Sequence, residues 1–207
     1  MRVFALSALS VLVCGAPAVG SGVPLRHVEY AVRTTVAGQS AASRLLLDLI
    51  ATTPGGGLTL DLTAPDRGET VRVDVAGDGA ATVRSGGELG RAGAALLYFF
   101  ALGSQNLTGM GPGDAWSVDG SAGDGAQQVT HFRVVARPVD GWLDVAVVRA
   151  VSAADTRVEY RGRLLYDAFK VVPISFDLSG NVHENEGGLD RTYPIRVAAT
   201  LVSDSQR

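Results

Sequence analysis

The stretch SGGELGRAGAALLYFFALGSQN, residues 85–106, decides the fold of this chain. When residues 92–102 are drawn as a helix, they leave no polar stripe on any side. A helix that is apolar all round is either buried in a protein or placed in a membrane. This run is shorter than the roughly 18 apolar residues that a membrane span requires. We therefore predict one buried helix near residues 86–103.

The two ends of this stretch carry signals for the start and the end of a helix. Ser85 followed three residues later by Glu88 fits a capping box, in which each side chain bonds to the backbone amide of the other. Gly103 is suited to a left-handed stop. The alternative is a pair of buried strands, because the letters LLYFF also favour β-structure and a short run shows no clear period.

The composition indicates one globular domain. The chain has 207 residues, 46% of them hydrophobic, and a formal net charge of −3. This length allows one domain with a substantial core. Lys170 is the only lysine, and the arginines form no basic cluster. We therefore expect no binding to nucleic acid, which requires a concentrated positive surface.

The first 18 residues are typical of an export signal. Arg2 precedes an apolar run from residue 3 to residue 13, and Ala16-Pro17-Ala18 has the small residues of a cleavage site. We expect a mature domain of residues 19–207, secreted or periplasmic, with no transmembrane segment. The alternative is a lipoprotein cleaved before Cys14, the single cysteine.

The rest of the chain has the pattern of β-strands. Apolar and polar residues alternate from Arg26 to Thr35, which is typical of a half-buried strand. Short segments of this kind lie on both sides of the apolar stretch, and turn residues separate them. We predict a mainly β fold (α+β), in which one strongly curved antiparallel sheet or open barrel of about ten strands wraps the single helix. The last strand contains Pro194, and we expect it at an edge because proline lacks a ladder donor.

Two segments carry a resemblance to a known group of proteins. They are GPGDAWSV, with Gly113, Asp114 and Trp116, and YDAFKVVPISFDLSG, from Tyr166 to Gly180. Together with the export signal, the curved sheet and the interior helix, they resemble extracytoplasmic bacterial proteins of the LolA/LppX half-barrel kind. The resemblance covers most of the mature chain. It implies an open cavity for an acyl chain or another apolar molecule.

The densest group of candidate metal ligands lies near the C-terminus. His183, Glu184, Glu186 and Asp190 offer an imidazole and carboxylate oxygens that divalent cations accept. Their spacing matches neither the zinc-helix motif nor the calcium-loop motif. A charged hairpin turn explains the same residues, so we take them as minority metal candidates only. No other motif indicates a cofactor, and we expect none.

The sequence does not indicate an enzyme. No Gly-x-Ser-x-Gly motif occurs, and neither His27 nor His131 has a paired acid at a recognisable spacing. Catalytic triads assemble in space, however, and a Ser-His-Asp site is therefore left open.

The large apolar side chains suggest a pocket for an apolar or lipid-like molecule. Plain core packing is the alternative explanation for them. We predict a non-enzymatic binding protein, with a structural domain of the cell envelope and a metal-assisted hydrolase as the other two hypotheses. The pocket candidates are Leu96, Phe99, Phe100, Trp116, Trp142 and Tyr166.

Overall fold

A computed structural model describes residues 24–52, 57–75, 81–86, 90–102, 107–121 and 127–206. Within these ranges the chain forms eleven β-strands, one α-helix and one turn of 3₁₀ helix at Pro65–Arg67. The export signal, Cys14, Glu88 and Gly103 lie outside the described residues. The strands are β1 (Arg26–Val36), β2 (Gln39–Thr52), β3 (Leu58–Ala64), β4 (Glu69–Val75), β5 (Ala81–Ser85), β6 (Ala115–Ser121), β7 (Gln127–Ala136), β8 (Trp142–Ser152), β9 (Thr156–Asp167), β10 (Val172–Glu186) and β11 (Leu189–Gln206), and the helix is α1 (Arg91–Ala101).

All eleven strands belong to one open antiparallel sheet, which confirms the predicted fold class. The strand order is β5-β4-β3-β2-β1-β11-β10-β9-β8-β7-β6. Every neighbouring pair is consecutive in sequence except β1 and β11. The strands that precede and follow the helix, β5 and β6, are the two opposite edges. The chain therefore crosses from one edge to the other through α1.

The helix lies against the middle of the sheet, on β10, β1 and β11. Leu96 and Phe99 are both 0% exposed, and Phe100 is 5% exposed. Each such side chain gains about 1.5–3 kcal/mol from full burial. The prediction of a buried helix is confirmed, and the alternative of two buried strands is wrong. We call the sheet surface that the helix covers the inner face.

The helix does not begin as the capping box predicts. Ser85 is the last residue of β5, and α1 begins only at Arg91. Gly90 precedes the helix and makes no side-chain cap; the first helical bond runs from the Ala94 N–H to the Gly90 carbonyl, at 3.0 Å. Because the apolar helix is held by packing against the sheet, it forms without a polar cap.

The placement of β11 corrects the edge prediction made from Pro194. The strand is central, between β1 and β10. However, β11 extends past the end of β1, whose last paired residue is Val36, opposite Ile195. The Pro194 carbonyl accepts a hydrogen bond from Ala37, at 3.0 Å, in the turn after β1. In a strand, the N–H and C=O of one residue point to the same side. The side of Pro194 that lacks an N–H therefore faces the turn after β1, so no neighbouring strand loses a hydrogen-bond donor there.

Two inward-facing glycines allow the middle of the sheet to curve tightly. A Cβ atom on Gly180 would lie 1.6 Å from the Glu159 carbonyl oxygen, and one on Gly162 would lie 1.9 Å from the Asp177 carbonyl oxygen. A side chain at either position would collide with the backbone of the neighbouring strand. Glycine in a strand marks such close approaches and bends.

Candidate functional site

Five of the six predicted pocket residues share the interior. Leu96, Phe99 and Phe100 lie on the helix, and Tyr166 is buried on the inner face of β9. Trp116 is partly buried on β6, and its ring stacks on that of Phe132 at 4.9 Å between centroids. The structure does not bring Trp142 to them. Its neighbour Leu143 is 0% exposed on the inner face, so the alternation of β8 puts Trp142 on the opposite face.

An aromatic row leads from the edge of the sheet to the helix. Phe132 stacks on Trp116 on one side and on Tyr98 at 6.1 Å on the other. The Tyr98 ring packs edge to face against Phe99, with 5.9 Å between the ring centroids. Phe99 in turn packs against Phe176, with 5.0 Å between the centroids. Because β6 is an edge strand, this row connects the interior with the open side of the sheet.

A group of polar side chains lies beside this row, and we call it the Arg149 cluster: Tyr98, Trp116, Gln128, Thr130 and Arg149. Arg149 is on β8, directly opposite Thr130 of β7. Its guanidinium carbon lies 4.6 Å from the centre of the Tyr98 ring, a cation–π contact. Its Nη2 donates to the Gln128 amide oxygen at 3.0 Å. The cluster therefore holds a cation between the helix and the inner face.

Two donors of this cluster have no partner in the described part of the chain: Arg149 Nε and Trp116 Nε1 are buried and make no hydrogen bond there. The Tyr98 and Thr130 hydroxyls are buried as well, and they interact with each other. Buried polar groups in native proteins are nearly always hydrogen-bonded. Such unsatisfied atoms beside an aromatic surface make this cluster the candidate site.

The electrostatics of the cluster follow from burial. Burial lowers the pKa of Arg149, while the phenol groups of Tyr98 and Tyr160 act in the opposite direction. Burial also raises the pKa of Tyr98, and the Asp119 carboxylate acts in the same direction, while a hydrogen bond with Thr130 and the Arg149 cation oppose them. Arginine nevertheless stays charged at neutral pH. The cluster therefore holds a cation among neutral polar groups, with the Asp119 carboxylate close enough to act on Tyr98.

A second arginine lies near the same end of the interior. Arg91, the first residue of α1, and Arg149 both act on the Tyr160 hydroxyl, whose pKa burial raises. The nearby carboxylate, Glu184, accepts a hydrogen bond from the Tyr193 hydroxyl at 2.5 Å. Tyr193 also interacts with Arg91. This end of the interior thus holds two cations beside one carboxylate.

The opposite end of the interior holds a partly buried arginine that is paired with a carboxylate. Arg26 makes two parallel bonds to the Asp204 carboxylate, each of 2.8 Å, and a third to the Lys170 carbonyl at 2.7 Å. The side chains of Arg26 and Asp204 are 11% and 9% exposed. Arg149 differs from Arg26 because no carboxylate of the described residues is bonded to it.

The minority metal candidates lie along the hairpin of β10 and β11. His183 Nδ1 is 3.0 Å from the Thr192 hydroxyl, and Asp190 accepts from the Asn185 amide at 2.9 Å. Glu184 accepts the hydrogen bond from Tyr193. Glu186 is the last residue of β10. Among the described residues, no three His, Cys, Asp or Glu side chains are grouped to hold a metal ion.

The histidines do not form a triad within the described residues. His131 Nδ1 lies 2.6 Å from the Ser117 hydroxyl, and both residues are exposed on the outer face of β6 and β7. His27 pairs with Asp48 at 2.6 Å on β1 and β2, far along the sheet from Ser117. A serine–histidine pair and a histidine–aspartate pair are thus present, but at separate places.

The outer face carries a groove of about 700 Å³ across β1, β2 and β11. Small side chains such as Ala31, Ala42 and Ala198 form its floor. Two of the arginines beside it are already in ion pairs, Arg44 with Glu29 at 3.0 Å and Arg196 with Asp177. The groove is wide and open, and it lies on the face of the sheet away from the helix.

Arg149, Thr130 and Tyr160 were not among the residues predicted from the sequence, although the pattern of β8 contains a signal for Arg149. Leu143, Val145 and Val147 alternate on the inner face, and Arg149 occupies the next position of the same face. A charged residue in the inward phase of a strand is unusual. The inward position of Arg149 could therefore have been predicted from the sequence. The residues of β7, β9 and the helix that surround Arg149 could not, because they are distant from it in sequence.

No protein-family model, no curated protein and no solved structure matches this chain. Among the described residues, the single helix has 11 residues, and no helix is long and apolar enough to cross a membrane.

Proposed function

We propose that this protein is a non-enzymatic binding protein that works outside the cytoplasm and holds an apolar or lipid-like molecule between the sheet and the helix. The export signal supports the location. The interior helix and the open sheet support the binding mode. The resemblance to half-barrel proteins of the LolA/LppX kind belongs to this proposal and adds the expectation of an acyl chain as the bound group.

One observation carries the proposal: unsatisfied polar atoms lie beside an aromatic row at the open edge of the sheet. Trp116 is on the edge strand β6, and its Nε1 is buried without a partner among the described residues. Apolar pockets with a few polar groups are the usual form of small-molecule sites. A molecule that passes between β6 and the helix would meet Trp116, Phe132 and Tyr98 in turn.

Native mass spectrometry and solvent extraction of the purified protein test this proposal. We expect a bound amphiphile, and after its removal we expect a fluorescent fatty acid to bind. The matched variants are Trp116→Ala and Trp142→Ala, because the two tryptophans lie on opposite faces of the sheet. Loss of a buried aromatic contact costs about 1–3 kcal/mol. Trp116→Ala should therefore weaken binding at least about fivefold, and Trp142→Ala should leave it unchanged.

A protein that carries no amphiphile and does not bind the fluorescent fatty acid would contradict the proposal. Equal losses in the two tryptophan variants would also contradict the position of the site.

The second candidate function is a structural domain of the cell envelope with a fully packed core. The observation in its favour is the open sheet, in which β5 and β6 have no neighbour on their outer sides among the described residues. Such edges can pair with a strand of another protein. This function predicts a stoichiometric protein partner and no extractable amphiphile. The metal-assisted hydrolase stays a prediction, and the described residues give it no assembled site.

A further inference from the structure

We propose that the bound amphiphile has an anionic headgroup, a carboxylate or a phosphate, and that Arg149 binds it. This inference rests on the proposed function. It goes beyond that function because it names the chemical class of the ligand and the residue that selects it.

The Arg149 guanidinium is bonded to no carboxylate of the described residues. It has one amide oxygen as a hydrogen-bond acceptor, Gln128 Oε1 at 3.0 Å, and its Nε is buried with no acceptor in the described part of the chain. The groups that act on its charge are the phenols of Tyr98 and Tyr160, not a carboxylate. A buried cation without a counter-ion is costly, and native proteins normally pair it.

Arg26 in the same interior differs from Arg149. Arg26 has a bidentate carboxylate partner in Asp204, at 2.8 Å for both bonds. Among the described residues, the hydrogen-bond acceptor of Arg149 is the neutral Gln128 amide. The planar guanidinium fork is suited to carboxylate and phosphate groups.

The two atoms of the cluster that lack a partner among the described residues, Arg149 Nε and Trp116 Nε1, can only donate. A ligand that satisfies them must bring acceptors. An anionic oxygen group supplies acceptors and negative charge together, whereas an alcohol headgroup supplies only a weak acceptor.

The test compares headgroups on the same alkyl chain. Dodecanoate, dodecyl phosphate and dodecanol are titrated into delipidated protein that carries Trp142→Phe, so that Trp116 is the only tryptophan and reports binding by its fluorescence. A charge-assisted hydrogen bond is expected to give the anions about tenfold tighter binding than dodecanol. The two anionic probes distinguish a carboxylate source from a phosphate source.

The key variants are Arg149→Met, Arg149→Lys and the control Arg161→Met, all in the same background. Arg161 is exposed on the outer face of β9. We expect Arg149→Met to abolish the preference for anions and to change dodecanol binding by less than about twofold. Arg149→Lys should keep part of the preference because it keeps the charge, and Arg161→Met should behave like the parent. Circular dichroism and urea unfolding establish that each variant is folded.

The two proposals fail in different ways. If dodecanol binds as tightly as the anions, or if Arg149→Met keeps the preference, the headgroup inference is overturned while the proposed function stands. If none of the three probes binds, both are overturned. An equal effect of Arg161→Met would also overturn the inference, because it would show a general effect of surface charge.

Discussion

At the scale of single residues, two arginines of the interior, Arg26 and Arg149, have different partners. Arg26 is bonded to Asp204 and the Lys170 carbonyl. Arg149 lies over Tyr98 and has one neutral acceptor among the described residues. The same residue type is thus paired with a carboxylate at one end of the interior and with neutral groups of the described residues at the other. The difference lies in what the neighbouring strands and the helix place beside each guanidinium.

This difference predicts opposite effects on stability. Arg26→Met leaves the partly buried Asp204 carboxylate without its partner, and it should lower the free energy of unfolding by about 1–3 kcal/mol. Arg149→Met removes a buried cation that lacks a counter-ion in the described residues. It should lower the free energy of unfolding by no more than about 1 kcal/mol, or raise it. Urea unfolding followed by circular dichroism measures both values. A loss with Arg149→Met as large as that with Arg26→Met would mean that the chain itself supplies a carboxylate to Arg149.

At the scale of secondary structure, the helix and the middle strands depend on each other. The helix has a buried side chain at most of its positions and no side-chain cap at its start. It is held by tertiary packing against β10, β1 and β11 rather than by its own local signals. The strands in turn need the close approach that glycine allows at Gly162 and Gly180.

The short distance between Gly180 and the backbone of β9 can be tested by adding a side chain at position 180. Gly180→Ala would put a Cβ atom 1.6 Å from the Glu159 carbonyl oxygen, so that β9 and β10 must separate. We expect the free energy of unfolding to fall by about 1–3 kcal/mol, the usual cost of overpacking.

The control for this prediction is Gly109→Ala, because a Cβ atom there meets nothing within 4 Å. It should change the free energy of unfolding by less than about 0.5 kcal/mol. Thermal or urea unfolding of the two variants, measured side by side, gives the comparison. Similar values for both would mean that the sheet relaxes easily around position 180.

At the scale of the whole molecule, the chain makes an antiparallel sheet that is left open where the helix crosses it. The strands follow one another around the sheet from β1 to β5 and again from β6 to β11, and β11 returns to pair with β1. The two edge strands, β5 and β6, are not paired with each other. The aromatic row begins at Trp116 on β6, so it starts at an edge of the sheet.

The pairing of Arg26 with Asp204 joins the first strand to the last, and it predicts a loss of stability in acid. Hydrogen bonds from Arg26 hold the pKa of Asp204 below its ordinary value of 3.8. A carboxylate whose pKa is lower in the folded state stabilises the fold above its unfolded pKa, and the benefit disappears as the pH falls through the folded pKa. We expect the free energy of unfolding to fall below about pH 4.

The measurement is urea unfolding at a series of pH values, with Asp204→Asn beside the parent protein. The variant starts from a lower stability because Arg26 loses its partner. Its curve should be flatter in acid, because the titrating carboxyl is gone. Parallel curves for the two proteins would show that other carboxyls cause the acid sensitivity.

The amino-acid sequence by itself determined the architecture of this protein. Alternating strands from Arg26 onward and one apolar stretch with no polar side were enough to predict a curved antiparallel sheet around a single helix. These patterns predict structure because the buried face of a strand or helix requires apolar residues at regular positions in the sequence. The pocket candidates on the helix followed from the same reasoning.

Only the tertiary structure decided which residues surround Arg149 and where the local rules for helix caps and for proline in strands do not apply. Ser85 was expected to cap the helix and instead ends a strand, and Pro194 was expected at an edge and instead lies in a central strand that extends past its neighbour. Arg149 became a candidate only once Thr130, Tyr98 and Tyr160 were seen around it. Whether a buried charge has a partner depends on residues that are distant in sequence and close in space, and no local pattern of residues carries that information.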